Sequence, residues 1–200
     1  MVNISALVSG GGTNLQAIID AVSDGRIPGA KMALVISSKP DAYALERARG
    51  AGIRTAVVSK AGFPDGESRA AELIRLLEDA DTDLVVLAGY MSILQPKITR
   101  EYAGRIINIH PALLPRHGGE GYYGSRVHRA VLEAGDRESG ATVHYVDEGV
   151  DSGEIILQGK VPVLDGDTPE TLAARVLTVE HRIFVEAINT VIGRLAGKGA

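Results

Sequence analysis

Asn108 and His110 lie on alternate positions of the run Ile107-Asn108-Ile109-His110-Pro111. If this run is a strand, its period of two puts the carboxamide and the imidazole on one face, with Ile107 and Ile109 on the other. Pro111 ends the strand and leaves His110 at its carboxyl end. A carboxamide N–H can stabilise negative charge growing on a carbonyl oxygen. Loss of one such donor typically costs about 2.7–4 kcal/mol of barrier stabilisation. An imidazolium can supply a second donor and then pass its proton to a leaving nitrogen. It needs a nearby carboxylate to stay charged near neutral pH. Three acids are available in the turn after a later strand-like run: Asp147, Glu148 and Asp151. Spacing alone does not choose among them. A strand-end histidine and a turn acid also have ordinary structural uses.

A second feature is Ser9-Gly10-Gly11-Gly12-Thr13-Asn14, between an apolar run and a helical pattern. Glycines allow close backbone approach, and the first N–H groups of a helix favour an anion such as a phosphate. Gly10 and Gly12 match the start of the dinucleotide fingerprint, but Leu15 stands where its third glycine belongs. No Gly-Lys-Ser/Thr follows, so this is not a P-loop. A tight strand-to-helix turn capped by Thr13 or Asn14 is the simpler alternative.

These residues need a scaffold, and the pattern along the chain supplies one. Strand-like runs at residues 3–8, 32–36, 55–58, 83–87 and 105–110 alternate with helical stretches at 14–22, 41–49 and 67–78. This alternation predicts an α/β fold: a Rossmann-like, mostly parallel sheet with helices on both faces. Such sheets bind ligands at the carboxyl ends of their strands, where the strand order switches. The second half predicts a short helix at 127–133, a strand pair at 142–146 and 155–161, and a long helix from Thr168. Asp167 or Thr168 can cap that helix, and Pro169 suits its first turn. Leu172, Val176, Val179, Ile183, Ala187 and Val191 form its apolar stripe. Glu180 falls on or beside the stripe, where an unpaired charge is costly. The glycine- and tyrosine-rich loop 117–124 is the segment expected to move.

The chain has 200 residues, 45% hydrophobic and 23% charged, which suits one domain spanning residues 1–200. A net charge of −4 announces no cationic face, so nucleic acid is not the expected partner. Without cysteine there is no disulfide, thiolate nucleophile or Cys-based metal site, and a cytoplasmic setting is expected. The amino-terminal apolar run lacks the basic flank and length of a signal peptide, and no membrane partner is expected. His110, His117, His128 and His144 do not fall at helical ligand spacing, so no metal is expected.

Together these segments resemble the folate-dependent phosphoribosylglycinamide formyltransferases of purine synthesis. The resemblance runs through residues 9–18, Leu87-Ala88-Gly89-Tyr90-Met91, Asn108-Ile109-His110-Pro111-Ala112-Leu113-Leu114-Pro115, residues 140–146 and Val150-Asp151-Ser152-Gly153. The last piece fits the family's Asp-x-Gly signature and singles out Asp151. The resemblance implies transfer of a formyl group from 10-formyltetrahydrofolate to the amine of glycinamide ribonucleotide, through a tetrahedral intermediate and without a metal. It implies Asn108, His110 and Asp151 as the catalytic trio. It further implies Gly12, Thr13 and Asn14 as a phosphate cradle and Glu180 as a ribonucleotide contact. The folate site would be Met91, Ser92, Ile93 and Leu94 with Asn108, Asp147, Glu148, Gly149, Val150 and Asp151. Ser92 departs from the arginine common in the family, and a second folate-contacting arginine aligns near Gly66 or Arg69. Partners would be small molecules, for a monomer or homodimer. Competing expectations are a formyltetrahydrofolate hydrolase, another formyltransferase, or a phosphate- or nucleotide-binding module without catalysis. The first would be expected to carry a regulatory domain, and an enzyme acting on methionyl-tRNA a basic carboxyl-terminal one.

Overall fold

The computed structural model describes residues 1–197, so the last three positions of the expected domain lie outside the described residues. The elements run β1 (Val2–Val8), α1 (Thr13–Ser23), β2 (Ala30–Ser37), α2 (Tyr43–Gly50), β3 (Thr55–Val57), α3 (Gly66–Asp79), β4 (Leu84–Leu87), α4 (Pro96–Glu101), β5 (Ile106–His110), α5 (Ser125–Glu133), β6 (Glu138–Tyr145), β7 (Ile155–Pro162) and α6 (Pro169–Gly197).

All seven strands join one sheet in the order β3-β2-β1-β4-β5-β6-β7. Pairing is parallel from β3 to β5 and antiparallel across β5–β6 and β6–β7. The central strands read as apolar runs because both of their faces are covered. Ile4, Ala6 and Val8 pack toward Leu15 and Ile18 of α1 and Phe184 and Ile188 of α6. Leu7 on β1 and Val85 on β4 pack toward Leu73 and Leu77 of α3 and Ile98 of α4. The mixed sheet with helices on both faces agrees with the predicted class.

Local chemistry accounts for several boundaries. Asp65 caps α3 by accepting from the Ser68 N–H at 2.7 Å. For α6, Thr168 Oγ1 accepts from the Thr171 N–H at 3.3 Å. Asp167 instead clamps Arg175, at 2.6 Å and 2.8 Å, and that guanidinium holds its carboxyl well below the usual range.

Two differences from the sequence reading have physical causes. Strand β6 starts at Glu138 rather than residue 142. A Cβ on Gly140 would lie 2.0 Å from the Gly159 carbonyl oxygen, so this glycine permits close strand approach rather than marking a turn. Helix α4 was not expected, being a single short stretch entered through Pro96 at its first position.

Strand order reverses between β1 and β4, and the carboxyl ends of β1, β4 and β5 lie side by side. The glycine turn follows β1, Met91 follows β4, and His110 closes β5.

Candidate active site

A cleft of about 950 Å³ opens over these strand ends. Asn14, Met91, Asn108, His110, Asp151 and Glu180 all line it. The fold therefore unites residues separated by up to 166 positions along the chain.

Antiparallel register between β5 and β6 opposes Asn108 to His144 and His110 to Thr142. His144 Nδ1 lies 2.8 Å from the Tyr145 carbonyl. A carbonyl only accepts, so Nδ1 carries a proton, and in the neutral ring Nε2 is an acceptor. Asn108 Nδ2 donates to that Nε2 at 3.1 Å, which fixes the carboxamide and leaves its second N–H free. His144 was noted in the sequence only as a weak metal candidate. Its signal was its place two residues after Thr142 on a strand. Among the described residues no three His, Asp or Glu side chains gather as a metal site.

Asp151 is the acid that meets the imidazole. Its Oδ2 lies 3.4 Å from His110 Nδ1, and its Oδ1 lies 3.5 Å from His144 Nε2. Burial raises the Asp151 pKa, but His144, His110 and the Gly119 N–H together outweigh it and hold the carboxyl below its ordinary value. For His110, burial pushes the pKa down, and Asp151 and the His117 carbonyl push back without overcoming it. The free site thus charges His110 less readily than a solvated histidine. Asp151 does favour the charged ring, as expected of the carboxylate, but burial opposes it more strongly.

Of the other two acids, Asp147 lines the cleft but is engaged within its own turn. It accepts from the Gly149 N–H at 2.9 Å and the Ser152 hydroxyl at 2.7 Å. Glu148 does not line the cleft. It turns to the far side of the loop and faces Arg100 at 3.5 Å. This separates it from the rest of the expected folate set.

At the α1 end, Gly12 occupies the left-handed region with φ 74° and is the cap residue, with no side-chain capping bond from itself, Thr13 or Asn14. A Cβ there would fall 2.6 Å from Ala44 Cβ and 2.8 Å from Ala44 Cα. Gly12 is therefore required by the packing of α2, and it does not itself line the cleft. The first helical bond runs from the Gln16 N–H to the Gly12 carbonyl at 2.9 Å. The amides of Thr13 and Asn14 precede it and have no carbonyl partner four residues back. Asn14 Nδ2 donates to Glu180 Oε2 at 2.6 Å. Burial raises the Glu180 pKa, and the Asn14 bond offsets this only in part. Asn14 Oδ1 is buried with no partner, an acceptor left for something else in the cleft.

After β4, the Met91 N–H donates to Ser9 Oγ at 2.9 Å. Met91 and Ile93 are 50% and 68% exposed, although they are large and apolar. Ser92, Leu94, Gly149 and Val150 complete this wall. Arg69 does not reach the cleft and donates to the carbonyls of Phe63 and Pro64, at 2.8 Å and 2.9 Å. Sequence reasoning missed His128, Tyr122, Tyr123 and Leu177, all of which line the cleft. The loop 117–124, expected to move, is tied at its start. His110 Nε2 donates to the His117 carbonyl at 2.8 Å, and the Gly119 N–H donates to Asp151 Oδ2 at 3.0 Å.

A cleft at the sheet's switch point, floored by an Asn-x-His strand and closed by a turn acid, defines a class. Residues 2–188 match the Formyl transferase family, and the chain belongs to that family. It is 48% identical over 182 residues to the phosphoribosylglycinamide formyltransferase of Escherichia coli, covering 91% of this chain and 83% of that protein. It is 47% identical over 184 residues to the enzyme of that name from Haemophilus influenzae, covering 92% and 84%. Among solved structures, glycinamide ribonucleotide transformylase 1 from Symbiobacterium toebii matches with a TM-score of 0.91 and 47% identity, over 97% of this chain and 89% of that one.

Proposed function

We propose that this chain transfers the formyl group of 10-formyltetrahydrofolate to the amine of glycinamide ribonucleotide. One observation carries the reading: Asn108, His110 and Asp151 line one cleft together with two sets of groups of different chemistry. One set comprises the free amides of Thr13 and Asn14, the unpartnered Asn14 Oδ1 and Glu180, which suit a phosphate and ribose hydroxyls. The other comprises the apolar side chains of Met91, Ile93, Leu94 and Val150 with the backbone of turn 147–151, which suits a flat pterin ring.

The amine nitrogen attacks the formyl carbon, and the carbonyl π electrons move onto oxygen. The free N–H of Asn108 donates to that oxygen. His110 Nε2 is committed to the His117 carbonyl, so Nδ1 is the edge that serves the reaction. Burial leaves this nitrogen unprotonated more often than in water, ready to take the proton the amine releases. Asp151, 3.4 Å away, stabilises the imidazolium that forms. The tetrahedral intermediate collapses as the carbon–nitrogen bond to folate breaks, and His110, directly or through Asp151 and water, returns the proton to the departing nitrogen. The proton count balances without metal or covalent enzyme intermediate. Holding both reactants in line contributes as much as about 7–11 kcal/mol. Small anionic substrates and a chain free of cysteine suit the cytoplasm.

The test is an assay of formyl loss from 10-formyltetrahydrofolate with and without the ribonucleotide. Ribonucleotide-dependent loss is expected. Loss without it would replace the reading with hydrolysis, and binding without turnover would reduce the chain to a non-catalytic module.

A further inference from the structure

The loop following β5 touches both members of the His110–Asp151 pair through its backbone. The His117 carbonyl accepts from His110 Nε2 at 2.8 Å, and the Gly119 N–H donates to Asp151 Oδ2 at 3.0 Å. The Asp151 oxygen held by Gly119 is also the one 3.4 Å from His110 Nδ1.

Acceptor and donor are matched to one charge state. A carbonyl favours a ring that keeps its Nε2 proton, and an amide N–H favours a carboxylate over a carboxylic acid. Both contacts therefore bias a shared proton toward the imidazole. They also fix the tautomer: with Nε2–H bound to the loop, a titrating proton can bind only at Nδ1, between ring and carboxylate.

The loop is held for this from outside the cleft. His117 Nε2 donates to Asp136 Oδ2 at 2.7 Å, and Arg116 meets Asp136 Oδ1 at 2.7 Å. His117 and Asp136 are largely buried, and Asp136 follows α5, away from the cleft lining. His117 has φ 53°, a left-handed conformation that side-chain-bearing residues hold only when their contacts fix it. Asp151, at φ 54°, shares it. Gly118 packs closely here: a Cβ would lie 2.2 Å from Leu114 Cδ2, so the end of that side chain would have to shift, and 3.5 Å from Asp151 Cβ.

We propose that His117 and Asp136 are positioning residues of this enzyme. The His117–Asp136–Arg116 cluster locks the 117–119 backbone as a brace that holds His110 in its Nε2–H tautomer and Asp151 as its carboxylate partner. This rests on the transfer reaction proposed above for its kinetic consequence, but not for its structural one. The groups that set the charge of His110 are Asp151 and His144 from β6 and its turn, His117 from the loop and His128 from α5. Of these, only Asp151 and the His117 carbonyl favour the charged ring.

Two variants of the full chain test it: His117→Gly, which accepts the backbone angle but removes the anchor, and Asp136→Asn, which keeps shape but removes charge. Nitrogen-15 NMR of the histidine rings, with His110 assigned through His110→Asn, reads the tautomer directly. Wild type is expected to show the Nε2–H form of neutral His110, and both variants a mixture. Their kcat is expected to fall roughly 10- to 100-fold, as when outer partners of metal-bound histidines are removed. KM for both substrates should stay within a few-fold, and the kcat inflection of His110 should move to lower pH. A wild-type Nδ1–H tautomer would overturn the brace. So would folded variants that keep the wild-type tautomer and inflection while losing only stability. Should a variant not fold, the wild-type spectrum still decides. If the wild-type protein does not turn over, the proposed reaction fails while the spectra still judge the brace.

Discussion

Asp151→Asn is the perturbation whose size the geometry allows to be worked out. Asparagine keeps the shape and can still accept from the Gly119 N–H. It also tolerates the left-handed φ of 54° better than most residues, so the backbone has no reason to move. What is lost is a negative charge 3.4 Å from His110 Nδ1. At an effective dielectric constant of about 20, two unit charges at that distance attract by about 5 kcal/mol. Water in the open cleft screens this, and about half is a fair lower bound. At 1.36 kcal/mol per tenfold in rate, kcat should fall by roughly 60-fold at the lower bound and by up to about 4,000-fold without that screening. The variant should also lose a pH-dependent part of its stability. Asp151 has a folded pKa below its ordinary value. It therefore stabilises the wild type above the unfolded carboxylate range, and that contribution fades as pH falls through the folded value. Wild type and variant should thus converge in Tm toward acid pH. The assay is ribonucleotide-dependent formyl loss, beside thermal melts from pH 7 to pH 3. A kcat within threefold of wild type would refute the reasoning. So would a rate loss explained entirely by unfolding at the assay temperature.

The remaining predictions are briefer. Asn108→Ala removes an oxyanion donor and should lower kcat by a factor corresponding to about 2.7–4 kcal/mol with little change in KM; a fall of under tenfold would argue against a donor at that position. Glu180→Gln replaces a buried carboxyl whose folded pKa is raised, so the penalty of the charged form is absent below the ordinary glutamate range and grows as pH rises toward the folded value. The variant should be more stable than wild type at pH 7 by roughly 0.5–2 kcal/mol and equal to it near pH 4, while the ribonucleotide KM rises; a wild type that melts higher at pH 7 would contradict the buried-charge account. Gly12→Val forces a branched side chain into the space of Ala44 and into the left-handed region, so a loss of about 2–5 kcal/mol is expected, read as a lower Tm, with both KM values affected in any protein that survives. A selective rise in the ribonucleotide KM at unchanged Tm would return Gly12 to the phosphate site.

The limits of reading this chain from its residues follow from which groups carry the site. Asn108 and His110 were legible because a strand has a period of two and Pro111 marks its end. Glu180 was legible because one carboxylate interrupts an apolar helical stripe. Asp151 was legible only through family resemblance, because its partner His110 is 41 positions away and two strands must pair before the turn reaches the cleft. Other parts left no side-chain signal at all. The demand that packing makes for glycine at position 12 comes from Ala44, a residue on another helix far from it in sequence. Glu148 and Asp147 have the same chemistry as Asp151, and only the path of the turn sends one to Arg100 and folds the other onto its own amides. The contacts on His110 and Asp151 from the 117–119 loop are made by a carbonyl and an amide that every residue possesses, so composition is silent about them. What composition does record there is the means of holding that backbone: a histidine, an arginine and a distant aspartate that act on the reaction only by keeping a carbonyl in place.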